Sequence, residues 1–268
     1  MTEPVYYLLC STYHDPEFRL KELIQSASKV IKKCFLRSII CLTPYTPKNI
    51  YDFLIKEGFL AIYEPSDKQI DTYKTALRYT LETLNNEKNQ KVFHVDFDRL
   101  IHWINNYPDE LINVLQNHSD VDYLHVGRTS RAFNTHPETQ KLTEGIVNEI
   151  GSKILGLDKP MDIISVCYVF TKLLGEKLLK VNNSTTTGFY GSWPIYLWNW
   201  ANNKRYVEVE GQEWETPDRF KKEIANLGYE KWMNQFQTHQ EWNKRVKFLR
   251  ECLFEFSNCT DFIFNEHK

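Results

Sequence analysis

The stretch Lys91-Val92-Phe93-His94-Val95-Asp96-Phe97-Asp98-Arg99-Leu100 carries the strongest signal in the chain. Its apolar run over 92–97 predicts a buried strand that ends on two carboxylates spaced i and i+2. In an extended backbone alternate side chains point the same way, so Asp96 and Asp98 are expected to face one ligand together. Two bare carboxylates so placed repel each other. A divalent cation relieves that repulsion, and oxygen donors suit magnesium or manganese better than zinc. Such a cation would hold a diphosphate and neutralise it as a leaving group. A plainer alternative stands beside this one: Asp98 caps the following helix, Asp96 is solvated, and neither binds metal. A phosphoaspartyl-type hydrolase also carries Asp-x-Asp after an apolar strand, near the start of its domain and with Thr or Val two residues on. Here position 100 is Leu and the strand is about the fourth, which counts against that chemistry.

Outward from this motif, apolar runs at 5–10, 38–42, 59–63 and 123–126 predict further buried strands. Amphipathic segments at 18–33, 48–57, 67–84 and 100–116 lie between them. The alternation predicts an α/β fold with a mainly parallel sheet flanked by helices, and such sheets bind ligands beyond the carboxyl ends of their strands. A long helix is expected after His136, with Pro137 in its first turn and Leu142, Ile146, Val147, Ile150 and Ile154 as its apolar positions. Residues 161–166 read as a strand followed by a helix through Lys180, and 205–210 alternate like a partly exposed strand. The polar stretch 181–188 is a loop or lid candidate. From Thr216 onward the chain reads as helical, with Trp232, Phe236, Trp242, Val246, Leu249 and Leu253 spaced as a packing face.

Composition sets outer bounds. The 268 residues suit one large α/β domain, or one domain with a modest C-terminal addition. A net charge of −2 gives no bulk attraction to nucleic acid or anionic membrane. Met1-Thr2-Glu3-Pro4 does not read as a signal peptide, and the apolar runs stop short of the roughly 20 residues that span a bilayer. The six cysteines form no CxxC pair, which predicts reduced core residues in a cytoplasmic protein rather than a zinc cluster.

In the order of its motifs, over roughly residues 5–215, the chain resembles GT-A-type glycosyltransferases of the broad family 2 kind, including the dolichyl-phosphate-sugar synthase branch. The resemblance implies a transferase domain over 1–215, Rossmann-like, with a helical C-terminal extension over 216–268. It implies that Ser11 and Thr12, after the first strand, hold the nucleotide base. Lys74 and Arg78, one helical turn apart, would lie near the diphosphate, or else form a solvated helix face. Asp96 would touch the ribose or sugar, and Asp98 the metal, Mn2+ or Mg2+. The family's Gly-Ser-Arg-like string is matched by Val126-Gly127-Arg128-Thr129-Ser130-Arg131. There Arg128 and Arg131 would grip phosphate on the donor side, Arg128 with a catalytic part, or would make surface salt bridges. Asp162 matches the acid before a short strand and is the second catalytic candidate; a turn cap is its plainer role. His94 reads as a satisfied core histidine and His136 as a cap.

The match has gaps. No acid stands in Gly188-Phe189-Tyr190-Gly191-Ser192-Trp193-Pro194, where a general base belongs. The base comes from Asp162, Glu213, Glu215 or Asp218, or the acceptor is a phosphate that needs none, or activity is lost. Trp193, with Trp198 and Trp200, forms either an acceptor platform or core. Glu213 is the acceptor-side carboxylate of a late loop that lacks the family's usual His, and Thr216-Pro217 reads as a helix cap. The expected activity is metal-dependent transfer of a sugar from a nucleoside diphosphate sugar to an unidentified acceptor. A nucleotidyltransferase and a catalytically silent sugar- or partner-binding relative are the alternatives. The absence of glycine from Ser11-Thr12-Tyr13-His14-Asp15-Pro16 counts against the former.

Overall fold

The structure, a computed structural model, describes residues 5–84, 89–181 and 184–266. Met1 to Pro4, and residues 182 and 183 of the loop expected at 181–188, lie outside the described residues. Among the described residues seven strands form one sheet: β1 (Tyr6–Tyr13), β2 (Phe35–Leu42), β3 (Leu60–Tyr63), β4 (Gln90–His94), β5 (Tyr123–Arg128), β6 (Tyr168–Thr171) and β7 (Lys204–Val209). Their order is β3-β2-β1-β4-β6-β5-β7. β6 runs antiparallel to β4 and β5, and the other pairs are parallel. The order reverses at β1, so β1 and β4 part to opposite connections and leave a crevice beyond their carboxyl ends.

The helices are α1 (Lys21–Cys34), α2 (Lys48–Lys56), α3 (Gln69–Thr83), α4 (Phe97–Asn106), α5 (Pro108–Asn117), α6 (Ser130–Asn134), α7 (Glu138–Ile154), α8 (Lys172–Val181), α9 (Phe189–Trp200), α10 (Lys221–Leu227), α11 (Tyr229–Met233) and α12 (His239–Glu266). Strand side chains alternate between two cores. Tyr7, Leu9 and Phe93 pack with α1, α2, α4 and α5 on one face. Leu8, Cys10 and Val92 pack with α3, α8, α9 and α12 on the other.

Several sequence expectations are corrected here. The helix expected from residue 18 starts at Lys21, because Phe18 adopts a left-handed φ of 55° in the turn before it. The segment expected at 100–116 is two helices. Pro108 keeps Tyr107 out of helical geometry (φ −137°, ψ 54°) and opens α5. Residues 161–166 form a 3-10 turn over Ile163–Ser165, closed by Val166 at φ 56°, and the strand comes after it as β6.

Pro137 sits just before α7 rather than in its first turn. α7 also turns its apolar stripe outward. Leu142, Ile146 and Ile150 are exposed, while Thr139, Gln140, Thr143, Glu144, Asn148 and Ser152 face inward beside Val147. Glu144 and Asn148 on the inward face meet a buried ionic network, while Thr139 and Ser152 bond to the Phe236 carbonyl and the Met161 N–H. On α12 the packing residues are Phe248, Leu249, Cys252, Phe256 and Cys259, whereas Val246 and Leu253 are exposed. That helix lies on α7 and α9, and so packs the C-terminal segment onto the sheet's second layer.

Candidate active site

The site is built where β4 ends. Val95 leaves the strand with its N–H on the Cys10 carbonyl (3.3 Å), and its own carbonyl accepts the Ser11 hydroxyl (2.5 Å). Ser11 is thereby fully buried as a stitch between β1 and β4. Asp96 keeps extended geometry (φ −63°, ψ 136°) at the N-cap position of α4, but its side chain does not cap the helix. Asp98 is already in the first helical turn. The strand expected through Phe97 therefore ends at His94, and the two acids do not project from one face of an extended chain. Fully buried Phe97 anchors the turn between them.

The two carboxylates have different surroundings. Asp96 Oδ1 accepts the Tyr73 hydroxyl and, at 3.4 Å, that of Thr12; Oδ2 stands 3.9 Å from Arg99 Nε. Burial and then the Asp98 charge push the Asp96 carboxyl up to about 6. Asp98 Oδ1 accepts the Arg99 N–H (3.0 Å), and Oδ2 pairs with Arg219 Nη2 at 2.6 Å.

Asp96 opens onto a cleft of about 420 Å³ walled by the start of α3, the 163–166 turn, residues 214–216 and α12. Four carboxylates line it (Asp96, Glu144, Glu215, Glu241) against three cationic side chains (Arg99, Lys244, Arg245). Arg99 donates to the Ser165 carbonyl (2.8 Å) and also stands 3.8 Å from Glu215 Oε2. That Glu215 oxygen is buried and has no hydrogen-bond partner. Tyr190 adds an aromatic edge, donating to the Tyr73 hydroxyl (2.8 Å) and accepting from Gln69 Nε2 (2.5 Å).

The other candidates are spread more widely. Lys74 reaches the Ser184 carbonyl (3.0 Å), with burial lowering its ammonium pKa, and Arg78 is exposed on a separate groove beside Glu82 and Lys180. Arg128 is wholly buried. Its Nε and Nη2 bind Asp162 at 2.7 and 2.8 Å, Nη2 also reaches Glu144 (2.8 Å), and Nη1 donates to His136 Nε2 (3.2 Å). Asn148 donates to Asp162 as well (2.8 Å). Burial pushes the Asp162 carboxyl up, but the Arg128 charge and hydrogen bonds outweigh it and hold the group well below the usual carboxylate range. This network, rather than a surface pair or a turn cap, is where Arg128 and Asp162 sit, and His136 belongs to it. Trp193 is buried in the core against Phe189, Tyr73 and His94, while Trp198 and Trp200 are half-buried. His94 stacks on Tyr168 and contacts Cys10 Sγ (3.4 Å), but its Nε2 has no partner, and burial pushes its pKa down to about 3.

Residues 210–220 form a strap from the end of β7 across the carboxyl end of the sheet. Glu110 accepts the N–H groups of Glu210 and Gly211 (2.8 and 2.9 Å). Arg131, half exposed, pairs with Glu210 and with Glu213 (2.6 Å) and donates to the Tyr107 hydroxyl (3.0 Å). His102 on α4 bridges Glu213 (3.2 Å) and Asp218 (2.7 Å). Glu213 thus ties down the strap, whereas Glu215 faces the cleft. Thr216 does not cap a helix; its hydroxyl donates to Glu215 (3.3 Å), the residue at the cap position. Sequence reasoning missed Tyr73, Arg99, His102 and Arg219. Tyr73 had a faint signal, lying one turn from Gln69 on the inward face of α3; Arg219 had none.

No family model matches the chain, and no curated protein matches it in sequence. Solved structures do. The crystal structure of glucosyl-3-phosphoglycerate synthase from Mycobacterium tuberculosis, in complex with uridine diphosphate, aligns with a TM-score of 0.52 at 11% identity. The alignment covers 76% of this chain and 70% of that one. A second structure, of a mycobacterial protein, aligns with a TM-score of 0.53 at 12% identity, over 76% and 67% of the two chains. The fold is that of a GT-A-type glycosyltransferase.

Burial and a like charge disfavour ionised Asp96, and a cation there would relieve both. The cleft walls also carry no surplus positive charge to meet a diphosphate. Both points fit a divalent ion. Asp98, however, already holds Arg219, and among the described residues no three His, Cys, Asp or Glu side chains group as metal ligands. Of the motif's two carboxylates, Asp96 lines the cleft and Asp98 is held by Arg219. No helix among the described residues is long and apolar enough to cross a membrane.

Proposed function

We propose that the chain is a glycosyltransferase that moves a sugar from a nucleoside diphosphate sugar to an acceptor held in the Asp96 cleft. One observation carries this reading. A mostly shielded carboxylate at the carboxyl end of β4, beside β1, opens onto a polar cleft at the point where the strand order reverses in a GT-A-type sheet. Asp96, oriented by Tyr73 and Thr12, would take the ribose or sugar hydroxyls. Asp96 and Asp98 would hold Mn2+ or Mg2+, which when bound supplies the charge that stabilises the departing diphosphate. Arg99, fixed by Ser165, adds a guanidinium at the same end of the cleft. Glu215, which lines the cleft and whose Oε2 has only the Arg99 guanidinium 3.8 Å away, supplies the acceptor-side acid that is missing near Trp193.

The remaining candidates fall into supporting roles in this reading. Lys74 follows Tyr73 directly on α3 and ties that helix to Ser184. Arg128 and Asp162 form the rigid floor behind Glu144, a cleft residue, and Arg131 and Glu213 hold the strap. Residues 1–215 make up the transferase domain, and 216–268 an extension whose α12 gives the cleft its outer wall. Six unpaired thiols suit a reducing compartment such as the cytoplasm.

The test is calorimetric and chemical. Uridine diphosphate comes first, since the similar synthase holds it, followed by other nucleoside diphosphates. Binding should tighten with manganese present and fall at least tenfold in Asp96→Asn. Released nucleoside diphosphate from matching sugar donors then reports turnover. Failure of every nucleoside diphosphate to bind, with manganese or magnesium, removes the reading.

A further inference from the structure

We propose that the α12 side of the cleft is a subsite for a neutral saccharide: Phe236 and Phe248 carry one face of a sugar ring, and the Glu215 carboxylate takes a hydroxyl from its edge. Such a saccharide would be the acceptor of the transfer proposed above, so its role rests on that reading.

The aromatic surface expected of Trp193 comes from other residues. Trp193 is buried in the core, whereas Tyr190, Phe236 and Phe248 line the cleft and are only part-buried. Phe248 stands on α12, and Phe236 in the 3-10 turn that leads into it. Each of these two rings is braced by another. Phe248 lies 6.1 Å from Tyr190, and Phe236 meets Trp214 and Trp232 at 5.0 Å each. Braced rings lose little side-chain freedom when a ligand settles on them. The C–H face of a pyranose is apolar, with slight positive charge on its hydrogens, and so suits the negative face of an aromatic ring. Its hydroxyls need oxygen acceptors at the edge. Glu215 offers one: Oε2 has no hydrogen-bond partner and only the Arg99 guanidinium 3.8 Å away.

The charges around these rings disfavour an anionic acceptor. Glu241, Lys244, Arg245 and Phe248 are spaced i, i+3, i+4 and i+7 and share one stripe of α12 along the cleft. Both cations of that stripe are engaged. Lys244 pairs with Glu241, and Arg245 donates to Gln140 (2.8 Å) and stands 3.6 Å from Glu144. Glu144 draws on Arg245 because its other cation, Arg128, also serves Asp162. Arg99, the third cation of the cleft, lies within 4 Å of both Asp96 and Glu215 (3.9 and 3.8 Å). A phosphate or carboxylate entering here must take a cation from a carboxylate, and it meets the donor diphosphate as a like charge. A neutral ring leaves these pairs intact.

The test is saturation-transfer NMR on the full chain, with the nucleoside diphosphate that binds in calorimetry, uridine diphosphate first. The probes are methyl glucoside, methyl galactoside and methyl mannoside, each beside its 6-phosphate, with cellobiose and maltose as longer neutral sugars. At least one neutral sugar should bind, and a methyl glycoside that binds should lose about fivefold in affinity as its 6-phosphate. Phe248→Ala and Phe236→Ala should each weaken the neutral sugar about fivefold, whereas Phe248→Tyr should stay within about twofold of wild type. Circular dichroism shows which variants fold, and the comparison of sugar with sugar phosphate needs no variant. A 6-phosphate that binds as well as its parent overturns the subsite and leaves the donor-site reading in place. So does the binding of nucleotide without any neutral sugar, or neutral-sugar binding unmoved in folded Phe248→Ala and Phe236→Ala. Failure of every nucleoside diphosphate to bind removes the acceptor role together with the donor reading.

Discussion

Arg128 and Asp162 meet edge to edge in the protein interior, Nε to Oδ2 at 2.7 Å and Nη2 to Oδ1 at 2.8 Å, with no part of the guanidinium exposed. The same guanidinium reaches Glu144 and His136, so one arginine joins the end of β5 to α7 and to the turn before β6. The network takes Glu144 and Asn148 from the inward face of α7. Gly127, just before Arg128, lets the Tyr206 ring lie against the strand, and the Tyr206 hydroxyl accepts the Asp162 N–H (3.1 Å).

Removing Arg128 leaves buried Asp162 without its cation and leaves Glu144 with only Arg245, 3.6 Å away. Arg128→Ala is expected to cost about 3–5 kcal/mol, read from urea unfolding. Lysine should restore little of it, because a single ammonium cannot reproduce the two-pronged contact. A direct hand for Arg128 on the donor phosphates makes a different forecast, with nucleotide affinity falling while stability holds. Measuring both quantities on one variant separates the two roles.

Asp96 sets a pH dependence on the donor side. Its carboxyl is pushed up to about 6, by burial first and then by Asp98, so a proton competes with any cation near neutral pH. Mn2+ affinity should rise as the pH climbs through 6 and level off above about 7. Below 6 the loss should approach tenfold per pH unit. Titrations between pH 5 and 7.5 read this directly, and a flat profile would mean that Asp96 is not a ligand.

His102 gives the strap a dependence of the opposite sense. Burial lowers its pKa, but hydrogen bonds and charge from Asp218 and Glu213 outweigh burial and raise it above 6.5. A raised histidine stabilises the fold most below its ordinary value, and that contribution disappears as the pH rises through the raised one. Amide exchange over 213–219 should therefore speed up above neutral pH in the wild type. In His102→Gln it should be fast throughout and nearly insensitive to pH over that range, beyond the intrinsic chemistry of exchange.

Much of the sheet was readable because buried parallel strands announce themselves as short apolar runs, and 5–10, 38–42, 59–63 and 92–97 each overlap one of β1 to β4, the last running three residues past its end. Asp96 was readable for the same reason, as the first acid after such a run. Asp98 was misplaced because a helix starting at Phe97 and a strand continuing through it bury that residue equally well. Residues 161–166 misled because an apolar string reads alike as strand or as buried turn. Arg219 was unreadable in principle: its partner lies 121 residues away, and nothing near it in sequence reports the β7 crossover that brings them together. On α7 periodicity located the apolar positions without their facing: Val147 and Ile154 pack inward, whereas Leu142, Ile146 and Ile150 are exposed and Glu144 and Asn148 turn to the buried Arg128–Asp162 pair.

Gly211 offers a test of how tightly the strap must seat. A methyl group at this position would fall inside the indole of Trp103, which is fully buried, where its ring N–H binds Glu110 (2.8 Å). The same Glu110 receives the Gly211 N–H, so indole, carboxylate and strap backbone form one compact joint. Gly211→Ala must move either the indole or the strap. Shifting the indole disturbs the core around Phe93, so the strap is the softer of the two. The expected cost is about 1–3 kcal/mol in thermal or urea unfolding. Because Trp214, Glu215 and Thr216 of the strap wall the cleft, the variant should also bind nucleoside diphosphate more weakly than wild type in calorimetry. Loss of stability with unchanged nucleotide affinity would show that the joint at Gly211 and the cleft wall move independently.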